Sequence, residues 1–127
     1  MVDTRTSARL LSGLLIGAGV THFVAPRPFD ATVPRSLPGS PRTWTRWSGI
    51  AEIAVGAAVA HPRTRGTGAM AAAGLFVAVF PANVKMAYDW RHRPAPLRAA
   101  ALARLPLQVP LVVWAARLHK AASAKDR

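Results

Sequence analysis

Hydrophobic positions fall into long blocks rather than into short alternating runs. Residues 10–26 (LLSGLLIGAGVTHFVAP) carry no formal charge, and residues 66–84 (GTGAMAAAGLFVAVFPANV) form a second uncharged block. Each is about the length that crosses a hydrocarbon core as a helix. Two weaker segments complete the pattern: residues 47–61, interrupted by Glu52, and residues 97–118, which contain Arg98, Arg104 and Arg117. A charge near the centre of a membrane helix costs roughly 2.5–3.5 kcal/mol, so these two need neighbours to shelter their polar groups. The blocks are rich in Ala, Leu and Gly and lack period-two alternation, which favours helices over a membrane barrel. The pattern predicts an all-α, four-helix transmembrane bundle in a single domain, with spans at about 9–25, 46–61, 66–89 and 97–118.

Between the first two spans lies a segment with Pro26, Pro28, Pro34, Pro38 and Pro41. So many prolines exclude a long regular helix and predict a rigid, turn-rich cap. The other connections, HPRTRG and RHRPAP, are short, and the tail HKAASAKDR reads as a solvated basic end. A basic start followed by an apolar stretch also fits a cleaved signal peptide, but the run exceeds the usual length and no clean cleavage site closes it. Small residues recur at helix-packing spacing, Gly13 with Gly17 and Gly68 with Ala72, which either seat helix contacts or reflect an Ala/Gly-rich composition.

Charge changes the picture less than its size suggests. The 127 residues hold 17 Lys and Arg against 5 Asp and Glu, a net +12, yet 51% of positions are hydrophobic. Disordered chains do not combine these properties. The arginines sit at span ends in ones and twos, with no basic run interleaved with stacking aromatics, so lipid headgroups explain them better than nucleic acid does. Arg5, Arg9, Arg63, Arg65, Arg117, Lys120, Lys125 and Arg127 fall on the side of the termini; Arg27, Arg35, Arg42, Arg46, Arg91, Arg93 and Arg98 fall on the other. The margin of one favours cytoplasmic termini. Trp44, Trp47, Tyr88 and Trp90 collect on the opposite side as an interfacial belt. The cysteine count is 0, which removes disulfides, thiolate metal sites and thiol redox chemistry from the chain itself.

Polar residues inside spans mark functional candidates. Glu52, His22, Asn83, Arg104 and Gln108 all fall towards the same half of the bilayer, and Ser48 lies one turn before Glu52. Asn83 and Lys85 are about 200° apart on a helix, so Asn83 faces inward while Lys85 snorkels to headgroups. Pro81, Pro106 and Pro110 each remove a backbone N–H and free carbonyls that Asn83 or Gln108 would satisfy. One reading is structural: Glu52 pairs with Arg104, His22 and Gln108 donate to it, and the cluster sets helix register. Another is a pocket for a small amphipathic molecule such as a quinone, or a proton-handling carboxylate beside a histidine. A metal site has too few ligands of fixed spacing. No phosphate loop, Ser/His/Asp arrangement or paired carboxylate marks a self-contained catalytic site.

The motifs G-x-x-HF, VP-x-x-LP, SG-x-x-E, FPAN and R-x-P-x-Q occur in this order across about residues 13–116. In that combination the chain resembles the DoxX-like family of small four-helix membrane proteins. The matching positions are His22, Phe23, Pro34, Leu37, Pro38, Ser48, Gly49, Glu52, Phe80, Pro81, Ala82, Asn83, Arg104, Pro106 and Gln108. The resemblance implies a bacterial plasma-membrane protein acting as a small subunit of an oxidoreductase or oxidative-stress complex. Some members of that family belong to a thiosulfate:quinone oxidoreductase, and distant ones act as membrane chaperones. Quinone is the implied ligand, and the implied partners are the lipid bilayer and either another protein or further copies of the chain. The alternative is a non-enzymatic scaffold or assembly factor that docks partners through the loop at Pro34, Leu37 and Pro38.

Overall fold

The computed structural model describes residues 3–31, 33 and 37–125. Among them every regular element is helical: α1 (Thr4–Val24), the single turn α2 (Arg27–Asp30), α3 (Pro41–Ala60), α4 (Arg65–Ala78), α5 (Phe80–Asp89) and α6 (Ala95–Lys125). Helices α1 and α3 begin earlier than their apolar runs do, because capping chemistry rather than hydropathy sets their starts. Asp3 accepts a hydrogen bond from the Thr6 amide at 2.6 Å, so α1 starts at Thr4 instead of near residue 9. Ser40 caps α3 by accepting from the Thr43 amide at 3.3 Å, with Pro41 in the first turn where its missing N–H costs nothing. The third apolar run is two helices, interrupted at Val79 just before Pro81. The fourth passes through Pro106 and Pro110 and continues into the basic tail.

Three helical stretches are long and apolar enough to cross a membrane: Thr4–Val24, Arg65–Asp89 across the α4–α5 break, and Ala95–Ala124. Helix α3 has 20 residues but carries Arg42, Arg46 and Glu52, and it falls short in apolarity rather than in length. The surface agrees with a lipid environment. Large apolar side chains face outward along every long helix, among them Leu14 and Val24 on α1, Ile50 on α3, Met70 and Val77 on α4, and Val109 and Val113 on α6. Soluble monomers rarely leave so much apolar surface uncovered.

Helix α1 packs along α3, α3 along α4, and α4 along α6, with a lighter contact between α1 and α6. The apolar core gathers Leu11 and Leu15 of α1, Val59 of α3, Ala69, Ala72 and Phe76 of α4, and Ala115 and Leu118 of α6. These lie at the end of the molecule where the chain starts. The other end is polar, and the functional candidates are there.

Glycines set the helix spacing, though not those of the first GxxxG. Gly13 and Gly17 have open space where a side chain would stand, so that pair makes no helix contact here. The α1–α3 crossing instead runs through Gly19 and Gly49. A Cβ on Gly19 would stand 2.7 Å from the Gly49 carbonyl oxygen, and one on Gly49 would stand 2.9 Å from His22 Cβ. Gly68 and Ala72 do meet neighbours: both are buried, and a Cβ on Gly68 would lie 2.7 Å from the Val59 amide nitrogen.

The loop after α1 folds back over the polar end. Asp30 anchors it, accepting from Thr45 Oγ1 at 2.6 Å and from Arg42 Nε at 2.9 Å. Burial pushes the Asp30 carboxyl upward, but the hydrogen bonds from Thr45 and Arg42 and the charges of Arg42 and Arg46 outweigh it and hold the group below its ordinary value of 3.8. A carboxyl lowered in this way stabilises the folded loop above its ordinary value, and that contribution disappears as pH falls through the lower native one. Pepsin cleavage beside Phe29 is therefore expected to be faster in Asp30→Asn than in the wild type at pH 4.5, with the two rates converging near pH 2. A rate ratio independent of pH would show that Asp30 does not hold the loop.

Candidate functional site

The Gly19–Gly49 crossing decides which polar groups meet. The two helices run antiparallel, with Gly49 against His22 and Phe23 and Gly56 against Ser12 and Ile16. His22 and Glu52 therefore flank the crossing on opposite sides and meet because the close backbones leave both side chains within reach. His22 Nδ1 stands 3.2 Å from Glu52 Oε2, yet it is closer to the Ala18 carbonyl oxygen, at 2.7 Å. The contact to Ala18 places the proton on Nδ1 and aims it along α1, away from the carboxylate. Glu52 Oε2 is consequently buried with no hydrogen-bond partner among the described residues. On its other side His22 stacks against Phe29, ring centroids 3.7 Å apart and planes inclined by 20°.

This carboxylate opens onto a cavity of about 430 Å³ lined from α1, α3, α5, α6 and the loop. His22, Ser48, Glu52, Asn83 and Arg104 all contribute to its wall. Asn83 is only 4% exposed, while Lys85, two residues on, pairs with Asp89 on the outer face. The volume lies in the range that holds small molecules. Its polar inventory is mixed: Arg104 offers donors, Glu52 acceptors, and Ser48 and Asn83 both.

Two expectations about the cluster need correction. Among the described residues Arg104 makes no ion pair with Glu52; it lines the same cavity and directs Nη1 to the Met86 sulfur at 3.6 Å. Gln108 is not part of the cavity. Its Nε2 donates to the Phe76 carbonyl at 2.8 Å in a buried contact. Phe76 belongs to the last turn of α4; the Val79 N–H turns back to the Leu75 and Val77 carbonyls, and the Phe76 carbonyl between them draws the amide away from the cavity.

The loop contributes more than the sequence indicated. Phe29 of α2, with Val33 and Leu37 after it, roofs the cavity together with Trp44 from the first turn of α3, whose Nε1 donates back to the Pro38 carbonyl at 2.7 Å. Phe29 did not stand out by spacing, and Trp44 stood out only as a member of the interfacial aromatic belt. Of the loop positions singled out for docking, Leu37 faces this roof, Pro38 is exposed, and Pro34 lies outside the described residues. Metal coordination would have to start from Glu52 and His22, and no group of three or more His, Asp or Glu side chains comes together among the described residues.

Neither the curated proteins nor the solved structures contain a match to this chain. A family model does match, over residues 11–119, and so takes in the whole cavity wall from His22 to Arg104. The chain belongs to that family, which is described as a domain of unknown function, DUF8561.

Proposed function

We propose that the chain is a multi-pass membrane protein whose cavity binds the headgroup of a quinone-like amphiphile. In this reading α1, α3, α4–α5 and α6 form a four-helix transmembrane bundle of the DoxX-like type, with both termini cytoplasmic. The protein serves as a small subunit of an oxidoreductase or oxidative-stress complex in the bacterial plasma membrane. The observation that carries the reading is the buried Glu52 oxygen, without a hydrogen-bond partner among the described residues, beside a cavity to which several helices each bring a polar group. Leaving such an oxygen unpaired costs about 1–3 kcal/mol, more for a charged group, and a ligand hydroxyl would remove that cost. Arg104, Asn83 and Ser48 are placed on the same wall to donate to a carbonyl, and Trp44 and Phe29 offer apolar faces to a ring. With no cysteine in the chain, thiol chemistry belongs to a partner subunit. A scaffold role for the loop keeps one supporting observation, the exposure of Leu37 and Pro38.

Trp44 on the cavity roof gives the test. A variant keeping Trp44 as its only tryptophan is titrated in detergent with a benzoquinone bearing a ten-carbon tail. Saturable quenching is expected, and Glu52→Leu in the same background should abolish the saturable part. Linear quenching, equal in both proteins, would indicate mere partitioning into the micelle and overturn the reading.

A further inference from the structure

A second depression lies against the same helices but has the opposite character. About 330 Å³ in volume, it is walled by Phe76, Val77, Phe80, Val109, Val112 and Val113. One polar residue borders it, Gln108, whose amide nitrogen is committed to the Phe76 carbonyl. The surface left to a visitor is therefore hydrocarbon.

Its position relative to the polar cavity is specific. The α4–α5 break divides its residues between the two: Ala78, Val79 and Pro81 face the cavity, whereas Val77 and Phe80 face the groove. On α6 the division runs lengthwise. Arg104 belongs to the cavity, and Val112, eight residues further on, belongs to the groove. At a rise of 1.5 Å per residue that step is roughly 12 Å. It leads away from the loop end and towards the middle of a helix running from Ala95 to Lys125. Both hollows thus border the seam where the broken helix meets α6, polar towards the end of the molecule and apolar towards its middle. A free headgroup would use the first alone, and a bulk acyl chain only the second. A molecule joining a polar head to a long chain uses both.

We infer that the groove is the tail subsite of the cavity's own ligand, so that the protein binds long-chain amphiphiles, its occupant being an isoprenoid or alkyl tail attached to the headgroup beside Glu52. This rests on the headgroup reading of the cavity given above. The tail runs from the Arg104 level down α6 past Val109 to Val113. Contacts there supply affinity, and the polar groups above supply selectivity.

Two ligands and two variants test it: a benzoquinone with a ten-carbon tail and its tailless counterpart, titrated against the wild type, Val109→Phe/Val113→Phe, and the lipid-facing control Val84→Phe. Burying several methylenes in the groove should make the tailed ligand bind about tenfold tighter or more. The double variant is expected to remove most of that advantage, leave the tailless ligand unaffected, and differ from Val84→Phe, which changes neither. Comparing variants with one ligand cancels its partitioning into detergent. An unchanged affinity of the tailed ligand in the double variant would overturn the tail subsite while leaving the cavity reading intact. Absence of saturable binding by either ligand to the wild type would overturn the cavity reading and the subsite together.

Discussion

Replacing Glu52 with Leu is expected to stabilise the ligand-free, detergent-solubilised protein by about 1 kcal/mol while removing its ability to retain a ligand. The side chain is 15% exposed and its Oε2 is buried without a hydrogen-bond partner among the described residues, so folding strips water from that oxygen and returns nothing. The nearby His22 does not repay the loss, because its Nδ1 proton is already directed at Ala18. A leucine of similar reach keeps the packing against α1 and removes the stranded acceptor. Thermal unfolding of the two proteins, both first stripped of bound small molecules, measures the effect. A fall in stability of several kcal/mol would instead identify Glu52 as a structural tie between helices, which is the competing account of the polar cluster. Groups retained at a cost to folding are characteristic of sites kept for binding or chemistry.

The second large effect is expected at the α1–α3 crossing. Gly49→Ala puts a Cβ 2.8 Å from the Phe23 ring, 2.9 Å from His22 Cβ and 3.0 Å from the Gly19 carbonyl oxygen. The ring can swing aside, but the backbone oxygen cannot move without shifting α1. Overpacking of this kind costs about 1–3 kcal/mol, and the shift also pulls His22 away from Glu52, weakening ligand binding in the same variant. Gly17→Ala should behave oppositely, since nothing lies within 4 Å of its added Cβ and alanine favours a helix by up to about 1 kcal/mol. Equal effects of Gly49→Ala and Gly17→Ala on thermal unfolding would contradict the crossing.

These glycines also show how far the sequence was legible. Gly13 and Gly17 formed the recognisable motif, yet Gly19 makes the contact. It lies about 200° around the helix from Gly17, and nothing in one helix's pattern tells which face its neighbour will take. The long apolar runs were readable because a membrane-length helix leaves a coarse signal, whereas the helix starts depended on single caps at Asp3 and Ser40 that lie outside those runs. The cavity wall was readable in its ionisable members, because burying Glu52, His22 or Arg104 within an apolar run is expensive and therefore conspicuous. Gln108 was misplaced despite sharing a face with Arg104, since its partner was created by a helix break whose consequence for Phe76 is visible only in three dimensions. The roof formed by Phe29 and Trp44 carried no periodic signal at all.

The most direct measurement is mass spectrometry of the small molecules extracted from detergent-purified wild-type protein and from Glu52→Leu prepared in parallel. The wild type is expected to carry, near one per chain, a molecule with an oxygenated ring and a long hydrocarbon tail, and the variant to be depleted in it by about tenfold. An identical set of extracted lipids in both preparations, with no such molecule enriched in the wild type, would contradict a binding site at Glu52.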